Sequence, residues 1–128
     1  INCARPFIYS TGISPLLAIQ IKSAVTLIAS LKQERNFLHQ LSASFRESIQ
    51  DIFKINSAGS QIIPIVLGSN GHVLRASQHL REAGYDVRAI RYPTVPAGTE
   101  RLRISLNCTH RQDQVRGLAA ALRKAVNL

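Results

Sequence analysis

The stretch RYPTVPAGTERLRISL, residues 91–106, sets three arginines around a turn stiffened by two prolines. Pro93 and Pro96 fix φ at two points, and Gly98 permits a chain reversal ahead of an alternating run. A guanidinium is planar and permanently charged. Its fork of N–H donors fits a carboxylate or a phosphate through two parallel bonds. Cations held beside so stiff a turn are preorganised to meet an anion, and Thr94 adds a hydroxyl between the prolines.

Whole-chain composition asks the same question. Sixteen basic against seven acidic residues give a net charge of +9 over 128 residues. Such a balance points to an anionic partner: nucleic acid, a phosphorylated cofactor, a coenzyme A thioester or an acidic carrier protein. It also suits a fragment that has lost an acidic remainder. Twelve arginines and four lysines are scattered rather than clustered, and aromatic residues make up only 5%. No interleaved aromatic and basic pattern offers a stacking platform for bases.

Cys3 and Cys108 stand far apart and in no CxxC pairing, which argues against a zinc site and a disulfide scaffold and for a reducing, cytoplasmic setting. His39, His72, His79 and His110 show no ligand spacing. No stretch is long and apolar enough to cross a bilayer, and the opening INCARPF has no signal-peptide pattern. Methionine is absent and the first residue is Ile1, so the chain is expected to be a piece of a longer polypeptide.

The elements that position the arginines follow from periodicity. Ser14 with Pro15 predicts a helix start. From Pro15 to Ile55, Leu17, Ile21, Ala24, Ile28 and Leu31, then Leu38, Leu41, Phe45, Ile49 and Phe53, keep helical steps. That is one long helix, or two joined near Ser30 to Glu34. QIIPIVLG (61–68) predicts a buried strand, at an edge or bulge because Pro64 cannot donate. A helix over 71–83 follows, with Val73, Leu74, Ser77 and Leu80 inward and Gly84 ending it. Strands are expected over Asp86–Arg91 and Leu102–Leu106. Thr109 with Gln112 predicts a capping box, and a final helix over 110–126 carries Val115, Leu118, Leu122 and Val126, with His110 in its first turn. The fold class is α+β: a small antiparallel or mixed sheet of about three strands, helices on one face, preceded by the long helix. The divisions are a loop or strand segment over 1–14, a connecting helix or helix pair over 15–57, and an α+β domain over 58–128.

PTVP-x-G-x-x-RLR-x-S (93–105), with RPFIYST and a following proline (5–15), resembles the C-terminal signatures of the α-oxoamine synthases. These are pyridoxal 5′-phosphate enzymes of aminotransferase fold type I, and the resemblance covers essentially the whole chain. AIR-x-PTVPAGT-x-RLRISL is most similar to the biotin-pathway branch. The resemblance implies an acyltransferase that condenses L-alanine with a pimeloyl thioester, on coenzyme A or acyl carrier protein, with loss of carbon dioxide. It also implies a cytoplasmic homodimer whose site is shared between subunits.

By the same resemblance, Arg103 pairs with the amino-acid carboxylate, Thr94 contacts substrate, and Arg91 lies near the acyl substrate. Thr11, with Ser10 beside it, reaches the cofactor phosphate of the opposite subunit. Where the family often has two prolines after this turn, Ser14 replaces the first. Arg5 and Arg101 are read as structural or charge-balancing. The cofactor lysine is not expected in this chain: Lys22, Lys32, Lys54 and Lys124 fall on helical stretches. The fragment alone is expected to be inactive. Two other readings compete. One is another branch of the family, of the 2-amino-3-ketobutyrate ligase or 5-aminolevulinate synthase type; the other is a basic nucleic-acid-binding or regulatory module.

Overall fold

Hydrophobic alternation builds the sheet. In a computed structural model that describes residues 3, 12–55 and 59–127, three strands form: β1 (Ile62–Val66), β2 (Arg88–Ile90) and β3 (Arg101–Ser105). The sheet order is β1-β3-β2 and both pairings are antiparallel. In β3, Leu102 and Ile104 are 0% and 2% exposed while Arg103 and Ser105 face out, the period-two pattern of a strand covered on one side. β1 repeats it, with Ile63 and Ile65 buried and Ile62 and Val66 exposed. β1 is an edge strand, where the donor missing at Pro64 is tolerated.

Two helices precede the sheet, α1 (Pro15–Ser30) and α2 (Lys32–Ile49). The helical run breaks at Leu31, whose φ of −81° and ψ of 51° leave the helical region. Contacts divide the chain into two compact units, residues 1–32 and 33–128. In the first, α1 opens with Pro15 in its first turn, where the missing donor is harmless. Ser14 accepts the Ala18 N–H through its backbone carbonyl, and its side chain makes no capping bond. No residue of α1 is buried, so the predicted stripe of Leu17, Ile21, Ala24 and Ile28 covers nothing there.

The second unit holds the core. α2 sends Leu41, Phe45 and Ile49, spaced by four, inward at 0–1% exposure. It ends at Ile49, six residues short of the predicted Ile55, where the Ile49 carbonyl accepts from both Ile52 and Phe53 in a tight turn. α3 (Asn70–Glu82) starts at Ser69, whose hydroxyl accepts the His72 N–H at 3.3 Å. It closes in a Schellman turn. Gly84, at φ +89°, donates to the Arg81 carbonyl, and Tyr85 donates to the Leu80 carbonyl. Val73, Ala76, Ser77 and Leu80 face in; Leu74, expected among them, is 45% exposed because it sits a third of a turn off that stripe.

α4 (Gln112–Ala125) buries Val115, Leu118, Ala119, Leu122 and Ala125. Its start corrects the predicted cap. The Asn107 side chain accepts from both the backbone N–H and the hydroxyl of Thr109, which keeps Thr109 in the preceding turn. The Arg111 N–H instead donates to the Gln114 side chain at 2.9 Å, so the helix begins two residues later. His110 therefore lies before the helix, its backbone N–H on the Asn107 carbonyl. Arg123 of α4 ties back to the end of α2 by donating to Asp51 at 2.7 and 2.8 Å and to the Ser48 carbonyl.

α2, α3, α4 and the inner sheet face share one core, in which Leu, Ile and Phe side chains each contribute about 1.5–3 kcal/mol by leaving water. The opposite sheet face carries the candidate chemistry.

Candidate carboxylate-binding face

β3 is the central strand, so each of its outward residues has a neighbour on either side. Arg103 lies opposite Pro64 of β1 and Arg88 of β2. Directly paired residues of antiparallel strands project to the same side. Arg103 thus stands in the middle of the uncovered face, flanked by the Pro64 ring and a second guanidinium. It is exposed, and it makes no ion pair with another described residue. Exposed Ile62 and Val66 lie along β1 on the same face. The result is an exposed cation with no ion-pair partner among the described residues, bordered by apolar side chains, whose fork of donors suits a carboxylate.

The other candidates sit in the connection between β2 and β3, residues 91–100. The Arg91 carbonyl accepts the Val95 N–H at 3.2 Å, closing a first turn that presents the exposed side chains of Arg91 and Thr94. The Tyr92–Pro93 peptide is cis. A second turn follows, in which the N–H and the hydroxyl of Thr99 both donate to the Pro96 carbonyl and Gly98 takes φ +82°. The connection delivers the chain to Arg101, paired with Ile90 at the end of the β2–β3 ladder. Arg103 follows two residues on, about 7 Å along the strand. The structure therefore brings Arg91, Thr94 and Arg103 onto one hairpin, with Arg103 on the sheet and the other two in its loop. Ser10 and Thr11 lie outside the described residues.

Sequence reading passed over Glu100. It is 4% exposed, and its Oε2 accepts the Gly98 N–H at 2.9 Å. Its backbone carbonyl accepts from both Leu67 and Gly68, at 2.8 and 3.1 Å. One residue thereby ties the turn to its own backbone and to the loop that follows β1. The signal was available, since Glu100 falls in phase with the inward Leu102 and Ile104. Arg101 is also tied, its Nε donating to the Thr99 carbonyl at 2.9 Å. A cleft of about 290 Å³ is lined by Tyr85, Ser105, Asn107 and His110 among others and holds none of Arg91, Thr94 and Arg103.

The sequence and the fold, a small antiparallel sheet backed by helices, match known proteins. Residues 1–122 match aminotransferase class I and II, and the chain belongs to that family. It is 40% identical over 120 residues to an 8-amino-7-oxononanoate synthase of Anaeromyxobacter dehalogenans, covering 93% of this chain and 30% of that protein. It is 41% identical over 123 residues to the protein of that name from Pseudomonas putida, covering 95% and 32%. Among solved structures it superposes on serine palmitoyltransferase of Sphingomonas wittichii with a TM-score of 0.80 at 25% identity, over 96% of this chain and 32% of that one. The 8-amino-7-oxononanoate synthase of Francisella tularensis gives the same TM-score and identity, over 96% and 36%. The chain spans about a third of the length of the curated relatives it matches. The expected fold class and the resemblance to the α-oxoamine synthases both hold.

Proposed function

We propose that this chain is the carboxylate-binding portion of an α-oxoamine synthase that condenses L-alanine with a pimeloyl thioester to give 8-amino-7-oxononanoate, with loss of carbon dioxide. The observation that carries the proposal is Arg103: a guanidinium without an ion-pair partner among the described residues, at the centre of an open sheet face. In this reading Arg103 takes the amino-acid carboxylate through two parallel bonds and fixes the orientation of the α-carbon. Thr94 contacts the same substrate from the loop, and Arg91 faces the acyl thioester. The fit of the names supports it, since the relatives at about 40% identity are 8-amino-7-oxononanoate synthases.

Pyridoxal phosphate is the cofactor in this proposal, and when bound it supplies the electron sink for negative charge at the α-carbon. The described residues fit a substrate-holding role rather than a cofactor-holding one. Lys22, Lys32 and Lys124 stand on helices, Lys54 follows α2, and all four are exposed. The lysine that anchors the cofactor is assigned to polypeptide outside this chain, so the chain alone neither holds the cofactor covalently nor turns over. Ser10 and Thr11 are the proposed contacts to its phosphate across a homodimer in the cytoplasm.

The test is kinetic. In the full-length enzyme, Arg103→Ala is expected to raise KM for L-alanine far more than KM for the thioester. Equal effects on both, or none, would remove Arg103 from the carboxylate. A panel of L-alanine, glycine and L-serine separates this branch from its relatives; faster turnover with serine would move the chain toward the serine-using branch that its structural neighbours represent.

A further inference from the structure

The register of β2 against β3 places Arg88 directly opposite Arg103, and both side chains are exposed on the open face. Two like charges paired across antiparallel strands oppose each other, so the pairing is unfavourable until an anion lies between them. Arg101 shares the face but is half-buried and bonded to its own turn. Arg88 is held more loosely. One of its terminal nitrogens donates to Asp86 Oδ2 at 3.1 Å, and both partners of that pair are about two-thirds exposed. Its other donors are left for a ligand.

Resting on the reading of Arg103 given above, we infer that Arg88 is a second arm of the carboxylate site. It exchanges Asp86 for the substrate's carboxylate, so that two guanidiniums close on one anion. A carboxylate offers about four acceptor positions, enough for two forks. Asp86 is then an internal competitor: it neutralises Arg88 in the empty site and is displaced when the amino acid enters. The ligand class is a small amino acid with a free α-carboxylate, and esters or amides of it are excluded.

Steady-state kinetics of the full-length enzyme decide this, with L-alanine and the acyl thioester varied separately. Arg88→Ala should raise KM for L-alanine on the order of tenfold, the loss expected for a hydrogen bond to a charged group, and leave KM for the thioester in place. Asp86→Asn should lower KM for L-alanine by roughly twofold, the scale of an exposed ion pair. In an Arg88→Ala background the Asp86→Asn change should do nothing. The inference is overturned if Arg88→Ala leaves KM for L-alanine unchanged, if it shifts both substrates alike, or if Asp86→Asn acts equally in both backgrounds. Arg103→Ala, measured alongside, keeps the two claims apart. An effect there with none at Arg88 removes only the second arm, whereas no effect there removes the carboxylate site itself.

Discussion

The two faces of the small sheet use the same strands for opposite ends. On the inner face Ile63, Ile65, Leu102 and Ile104 are at most 2% exposed and pack with the helices. On the outer face Arg103, Arg88, Ile62 and Val66 stand open. β3 serves both, residue by residue. Leu102 and Ile104 hold the fold, and Arg103 between them carries the proposed contact. The inner residues fix the strand's backbone, which sets where the outer arginine leaves the sheet.

Leu102→Ala should give the largest effect. It removes a fully buried side chain and is expected to cost about 3 kcal/mol or more of stability, read as a shift in the urea midpoint. A much smaller shift would mean the inner face is not the anchor of the strand. Arg103→Ala should do the reverse. Stability stays within about 0.5 kcal/mol, as for most exposed positions, while kcat/KM for L-alanine in the full-length enzyme falls about a hundredfold. A large stability loss at Arg103 would erase the distinction between the faces.

Glu100 belongs to both sides of the comparison. Glu100→Ala leaves the Gly98 N–H without its acceptor and should cost about 1–2 kcal/mol. It should also raise KM for L-alanine by loosening the loop that carries Thr94. Glu100→Gln keeps an acceptor oxygen and should recover most of both; failure of the glutamine to do so would show that the charge, not the acceptor, is what the turn requires.

Asp113 belongs to neither face and gives the smallest effect. Hydrogen bonds from the Arg111 guanidinium push its carboxyl down from 3.8 to about 2. Because the folded value is the lower one, this contribution is complete above the ordinary carboxylate range and is lost as pH falls from about 4 through about 2. Asp113→Asn should flatten that part of the urea-midpoint curve and leave KM for L-alanine alone. The pair is exposed, so added salt should shrink the difference.

Much of this was legible before any coordinates. The period-two run after Arg101 assigned the outward position of Arg103, and Gly84 marked the end of α3 because few other residues take a positive φ there. The resemblance in 89–106 singled out Arg91 and Thr94, which fall on the same hairpin. Other features were not legible, for separate reasons. α1 is as apolar as a core helix, yet no residue of it is buried. Periodicity reports what a helix can cover, not whether anything lies against it. The expected Thr109 and Gln112 box does not start α4, because the Asn107 side chain holds Thr109 back and Gln114 takes the Arg111 N–H instead. Arg88 could not be found at all without the register.

The amino-acid order by itself settled the local matters: which residues of a strand share a side, that α3 stops at Gly84, and that a stiff turn precedes a cation. Those follow from φ and ψ preferences and from the repeat of a single strand or helix, which need no distant partner. The tertiary structure decided which side of the sheet the helices cover, that Glu100 ties the turn to the β1 loop, and that Arg88 meets Arg103. Each of these depends on pairing between segments separated in the chain, and a slip of one residue in that pairing would have sent Arg88 to the opposite face.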